Sequence, residues 1–130
     1  MNVNPVFVYG TLRKGASNHF RMADSGFAGA GRISGKIYRI DWYPALVCGG
    51  QTFVRGELYL VSDPDLLALD IFEGITPDAE EPMEYRRVKS LVLLDSGDEK
   101  EAWVWEWTGD PADAVPLVGE DWLSYEPNPS

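Results

Sequence analysis

The spacing of apolar positions changes near residue 62. Before it they come in short runs or alternate with polar residues; just after it they follow a helical period, and then alternation returns. Val6-Phe7-Val8-Tyr9 is an unbroken apolar run ended by Gly10, which predicts a strand buried on both faces. Residues 10–17 predict a loop that enters a short helical piece near 18–24. Residues 26–61 alternate with glycine breaks: a strand at 35–40, a turn and short strand at Tyr43-Pro44-Ala45-Leu46-Val47, and a strand at 54–61 with Val54, Leu58 and Leu60 on one face. Ser62-Asp63-Pro64 reads as a helix start, and the helix runs to about Glu73 with Gly74 as its stop. Residues 75–83 predict a polar loop. Residues 84–94 and 100–107 predict a hairpin over Asp95-Ser96-Gly97-Asp98. The tail 108–130 is rich in Pro, Asp and Glu and holds one aromatic cluster, Trp122-Leu123-Ser124-Tyr125. The sum is six to seven strands and one main helix in one α+β domain spanning 1–130. Closure into a small barrel would remove exposed sheet edges.

Charge narrows the partners. The 130-residue chain carries a net charge of −10. Residues 1–62 hold 7 basic and 3 acidic residues, and 63–130 hold 4 basic and 18 acidic. Such a chain does not suit nucleic acid or an anionic membrane surface. Its apolar runs are too short to span a bilayer, and no leader pattern opens it. Cys48 is the one cysteine, so no internal disulfide forms. The expectation is a cytoplasmic protein, monomeric or a small homo-oligomer, with a small molecule as its partner.

Several chemistries are missing. One histidine, His19, and one cysteine give no zinc spacing, so no metal is expected. His19 reads as a surface residue of the short helical piece. A Cys48–His19 nucleophile pair competes with the plainer reading of Cys48 as a small core residue. The glycines at 29, 31 and 35 miss the nucleotide-loop spacing by one residue, and no helix follows them.

Two segments carry candidate chemistry. In Tyr9-Gly10-Thr11-Leu12-Arg13, a strand end followed by glycine and a turn exposes consecutive backbone N–H groups, a concavity that suits a carboxylate. The Thr11 hydroxyl and the Arg13 charge would add to it; the alternative is an ordinary connection. In Leu69-Asp70-Ile71-Phe72-Glu73-Gly74, helical spacing places Glu73 beside Leu66 and Leu69 on the apolar face. It also sits in the last turn, where the helix dipole disfavours negative charge. Both effects raise a carboxylic acid's pKa, as a general base working near neutrality requires. The alternative is a solvated helix end, or an ion pair with Arg86 or Arg87. Tyr85 would hydrogen-bond a ligand or Glu73, or simply pack in its strand. Trp103, Trp105 and Trp107 share a strand face and would form a stacking platform or, more simply, sheet core.

Taken in order, these blocks resemble the γ-glutamylcyclotransferase-like family, in its γ-glutamylamine cyclotransferase and AIG2-like branch. The blocks are Tyr9-Gly10-Thr11-Leu12-Arg13, Gly35-Lys36-Ile37-Tyr38 with Tyr43-Pro44-Ala45-Leu46-Val47, Val54-Arg55-Gly56-Glu57-Leu58-Tyr59, Leu69 to Gly74, Tyr85-Arg86-Arg87-Val88, Ala102-Trp103-Val104-Trp105, and Gly119-Glu120-Asp121-Trp122. The resemblance implies a small mixed β-barrel flanked by helices. It also implies a cavity between the first loop and a catalytic glutamate, Glu73. The implied reaction is attack of a γ-glutamyl amide's own α-amine on its γ-carbonyl, giving 5-oxoproline and a free amine without a cofactor. Tyr9, Gly10, Thr11 and Leu12 would bind the substrate, with Tyr85 assisting. Gly-Thr-Leu differs from the Gly-Ser-Asn and Gly-Ser-Leu of the dipeptide- and glutathione-directed branches, which points away from glutathione. Two other readings stay open: a small-carboxylate-binding protein on the same fold, and removal of a γ-glutamyl protecting group from a biosynthetic intermediate. The acidic loop with Asp78, Glu80, Glu81 and Glu84 would bear on the leaving group.

Overall fold

The computed structural model describes residues 3–16, 18–40, 43–75, 85–117 and 122. Among these residues six strands form one sheet: β1 (Val3–Val8), β2 (Gly26–Ile40), β3 (Tyr43–Ser62), β4 (Tyr85–Leu94), β5 (Glu99–Trp107) and β6 (Val115–Pro116). Their order is β3-β1-β5-β4-β2-β6, and a further pairing of β3 with β2 closes the first five into a barrel. The barrel is mixed. β1 runs parallel to β5 through Val6 and Trp103, and the other pairs are antiparallel. β6 lies outside the closure, against Tyr38 and Arg39 of β2. One main helix, α1 (Asp63–Phe72), and 3-10 turns at His19–Met22 and Pro111–Asp113 complete it.

The barrel follows from side-chain alternation. Val6 and Val8 of β1 enter a cluster with Leu66 and Leu69 of α1, Tyr85, Trp105 and Trp107. Phe7 and the following Tyr9 enter the opposite cluster, with Ile33, Ile37, Leu46, Val54, Leu58, Val92, Val104 and Trp122. An apolar run with no polar interruption thus fills both sides of one strand. Gly56 lets β3 approach β1 closely; a Cβ there would fall on the Val8 carbonyl and the Phe7 ring.

The segments expected between 26 and 61 join into two long strands. Ser34 pairs with Phe53, yet the next residue, Gly35, pairs with Cys48, so residues 49–52 bulge out of the ladder. Gly49 and Gly50 supply the positive φ values of 96° and 88° that this bulge requires. Ser34 Oγ donates to the Gly50 carbonyl at 2.8 Å and Thr52 Oγ1 to the Gly35 carbonyl at 2.7 Å. The glycines mark a bulge within a strand rather than breaks between strands. Leu60 also departs from expectation: it is exposed, while Val54 and Leu58 are buried. The acidic residues Asp78, Glu80, Glu81 and Glu84, and Leu123, Ser124 and Tyr125 of the aromatic cluster, lie outside the described residues. Trp122 is almost fully buried in the barrel.

Helix α1 begins and ends where its sequence directs. Ser62 caps it, its Oγ accepting from the Asp65 amide at 3.4 Å, with proline in the first turn. At the other end Gly74 has φ +85°, its amide donates to the Ile71 carbonyl at 3.0 Å, and the Ile75 amide donates to the Asp70 carbonyl at 2.8 Å. These are the paired bonds of a Schellman motif, with Glu73 as the cap. Ten residues make a marginal helix in isolation, so tertiary contacts must hold it. Leu66 and Leu69 bury its apolar stripe. Between them and Glu73 lies Asp70, also buried, whose Oδ1 accepts from Arg87 Nε at 2.9 Å on β4 and Trp105 Nε1 at 2.9 Å on β5.

Replacing Asp70 with Ala leaves the Trp105 indole N–H and the Arg87 guanidinium without that acceptor. The expected loss is about 1–3 kcal/mol, read as a lower urea midpoint with an unchanged denaturant slope.

Candidate active site

The end of β1 and the end of α1 meet at a cavity of about 400 Å³. Tyr9, Gly10, Thr11, Leu12, Glu73 and Tyr85 all line it, together with Asn18, Pro44, Phe72 and Trp105. The sequence-selected residues therefore come together from three separate stretches of chain. Glu73 is half-buried there, at the C-cap of α1. The two arginines considered as its partners are engaged elsewhere. Arg87 binds Asp70, and Arg86 donates to Glu106 Oε1 from Nε at 2.9 Å and Nη2 at 2.7 Å.

Two buried tyrosines shape the cavity. The Tyr9 hydroxyl donates to the Trp105 carbonyl at 2.8 Å, and the Tyr85 hydroxyl donates to the Pro44 carbonyl at 2.6 Å. Tyr85 thus packs in its strand and lines the cavity at once. Burial pushes the Tyr9 hydroxyl pKa well above its ordinary 10.0, and the charges of Tyr85, Glu73 and Cys48 push it further, against one backbone bond from Leu46. Tyr9 therefore stays protonated, and Glu73 is near enough for its charge to be felt there. Gly10 is required by contact: a Cβ would collide with the Pro44 ring.

The Gly10–Arg13 loop is internally braced. The Gly10 carbonyl accepts from the Arg13 amide at 3.1 Å, that of Thr11 from the Asn18 amide at 2.7 Å, and that of Arg13 from the Ala16 amide at 2.9 Å. His19 Nδ1 lies 2.9 Å from the Leu12 carbonyl, the geometry of an Nδ1–H donor. With the carbonyls occupied, the amide N–H groups of Gly10, Thr11 and Leu12 have no protein acceptor among the described residues. Consecutive amides of this kind suit an anion.

The expectation that the Arg13 charge adds to the concavity is corrected. Arg13 is buried but does not line the cavity; its Nε contacts Glu57 Oε2 at 2.6 Å. Glu57 was not visible as important from spacing. A lone acid in an otherwise apolar, alternating strand was the available signal. Asp70 gives a similar signal: it is an acid on the same helix face as Glu73, three residues earlier.

The remaining candidates take structural roles. Burial first, then Glu106, pushes the Cys48 thiol from 9.0 up to about 12, which removes the thiolate a nucleophile needs. His19, half-buried in the short 3-10 helix, braces the loop through the Leu12 carbonyl. Trp105 and Trp107 are buried in the sheet core, and Trp103 is covered by Arg87 at 4.3 Å and Lys89 at 4.9 Å. Among the described residues, no group of three or more His, Cys, Asp or Glu could hold a metal, and no helix is long and apolar enough to cross a membrane.

A family model described as "Gamma-glutamyl cyclotransferase, AIG2-like" matches residues 6–124. A Vibrio cholerae protein provisionally named gamma-glutamylcyclotransferase is 44% identical over 84 residues, covering 63% of this chain and 67% of that protein. The gamma-glutamylaminecyclotransferase of Rattus norvegicus is 28% identical over 134 residues, covering 94% of this chain and 80% of that protein. The crystal structure of an AIG2-like protein from Mus musculus superimposes with a TM-score of 0.79 at 27% identity, over 93% of this chain and 88% of that one.

At pH 8 the native Cys48 thiol should react with a disulfide reagent about 10²–10³-fold more slowly than in urea, because so little of it is thiolate. The folded state keeps this proton after the unfolded chain has lost it. Stability therefore falls as pH rises above about 9, toward the folded value of about 12. Tyr9 acts in the same direction above its ordinary 10.0.

Proposed function

Because the chain belongs to the gamma-glutamyl cyclotransferase, AIG2-like family, we propose that it cleaves a γ-glutamyl amide by internal cyclisation, releasing 5-oxoproline and a free amine. The observation that carries this reading is the shared cavity: Glu73 and the Gly10–Leu12 loop line it from different elements. The substrate's α-amine forms a bond to its γ-carbonyl carbon, and the bond from that carbon to the leaving nitrogen breaks. Closing a five-membered ring within one molecule requires correct positioning more than a nucleophilic side chain. Glu73 takes the proton from the attacking amine and returns it to the leaving nitrogen, one carboxylate serving as base and then acid. The Gly10, Thr11 and Leu12 amides receive the α-carboxylate and fix the reactive conformer. Tyr9, held neutral, and Tyr85 form the walls against which the substrate lies.

The leaving group in this reading is an amine, such as the ε-amine of lysine. The rat relative supports this by its name, and the Gly-Thr-Leu loop supports it by its difference from glutathione-directed loops. A cavity of about 400 Å³ suits a small molecule of this kind. A protein that only bound carboxylates would gain nothing from a second negative charge beside its ligand, so Glu73 favours turnover over binding alone.

Incubation with γ-glutamyl-ε-lysine and simple γ-glutamyl alkylamines should yield 5-oxoproline. The Glu73→Gln variant should lose about 10²–10⁴-fold in rate while keeping its melting temperature within a few degrees of wild type. Equal rates for the two proteins would overturn the role of Glu73. An absence of product across the whole panel would overturn the reaction.

A further inference from the structure

The loop expected to receive the substrate's carboxylate carries two cations, Arg13 and Lys14, and the first of them, Arg13, is turned out of the cavity, which it does not line. What turns it is Glu57, a buried acid in the middle of β3, paired with Val8 of β1 on one side and Ala30 of β2 on the other. Two of its three contacts go to the loop. Oε2 contacts Arg13 Nε at 2.6 Å, and Oε1 accepts from the Lys14 amide at 2.8 Å. The third, from the Tyr59 hydroxyl to Oε1 at 3.1 Å, comes from the same face of its own strand and steadies the carboxylate.

Stability alone is a poor account of such a group. Burying two charges costs several kcal/mol per ion, and an apolar pair of similar volume is often as stable. What an ion pair supplies that an apolar pair does not is direction. Glu57 fixes the loop where it leaves the cavity, at residues 13 and 14. His19 and the Asn18 amide hold the carbonyls of Leu12 and Thr11. The carbonyls of Gly10, Thr11 and Leu12 are engaged, and their N–H groups have no protein acceptor among the described residues. A receptor that binds through backbone dipoles works only if those dipoles are already oriented before the ligand arrives.

We propose that Glu57 is a positioning residue. By holding Arg13 and the Lys14 amide, it fixes the Gly10–Leu12 amides as the receptor for the substrate α-carboxylate and keeps the Arg13 cation out of the cavity. Carboxylate recognition is then a backbone function controlled by a side chain that never touches the substrate. The inference rests on the reaction proposed above, and it makes a claim that a purely structural role does not. Disturbing Glu57 should penalise ligands that carry the carboxylate and spare those that lack it.

The test compares wild type with Glu57→Gln on two substrates sharing one leaving amine: a γ-glutamyl alkylamide, and the matching 4-aminobutanoyl amide, which closes to 2-pyrrolidinone. Calorimetric binding of 5-oxoproline and of 2-pyrrolidinone supplies a measurement independent of turnover. In Glu57→Gln, kcat/KM for the γ-glutamyl amide and affinity for 5-oxoproline should fall on the order of 10- to 100-fold, with the carboxylate-free pair changed less than about threefold. If Glu57→Gln does not fold, Arg13→Lys serves, since it keeps a charge opposite Glu57 but loses the Nε contact; the same ratio should shift in the same direction. A parallel fall on both members of each pair, no fall on either, or no binding of 5-oxoproline by wild type would overturn the proposal. Differential loss of 5-oxoproline binding without turnover of any amide would leave the role of Glu57 standing and overturn the reaction instead.

Discussion

Strand β1 is the constraint on which the site depends. It is paired on both edges, to β3 and β5, and buried on both faces, and it stops at the point where the cavity begins. A strand so enclosed has no freedom to slip: a shift of one residue would exchange Val6 and Val8 with Phe7 and Tyr9 and disrupt both clusters together. Its last residues therefore deliver Tyr9 and Gly10 to one fixed place. Everything else at the site is arranged around that end. β3 supplies Pro44 and Glu57, β5 supplies Trp105, and α1 brings Glu73.

Ion pairs in this barrel serve chiefly to join elements. Asp70 links α1 to β4 and β5, Glu57 links β3 to the loop after β1, and Glu106 links β5 to Arg86 of β4 and to the Cys48 amide of β3. Each acid takes more than one donor, and among the described residues no buried side-chain nitrogen or oxygen lacks a partner. Buried charge is tolerable on those terms. Glu57, Asp70 and Glu106 bind arginines of neighbouring elements, and Glu73 lines the cavity.

Much of this was legible in the sequence because local rules carry local consequences. Ser62, Pro64 and Gly74 mark the helix, and Val6 to Tyr9 mark the enclosed strand. The Gly10 turn and the misplaced acid at 73 mark the two sides of the cavity. What stayed hidden depends on partners far along the chain. Gly49 and Gly50 read as a break because nothing local tells a bulge from a turn; the ladder partners at Ser34 and Gly35 decide it. The Arg13 cation read as part of the receptor because its distant acid, 44 residues on, is invisible to spacing. Asp70 obeys the same rule-breaking logic as Glu73, but only Arg87 and Trp105 show that it is an anchor.

The Schellman ending of α1 separates what can change from what cannot. Its bonds close at Gly74 and Ile75, so the backbone of Glu73 is fixed before the chain enters the stretch from 76 to 84. The backbone hydrogen bonds that end the helix involve no residue beyond Ile75. Sequence can therefore diverge in one stretch without displacing the backbone that another has already fixed, and the two need not vary together.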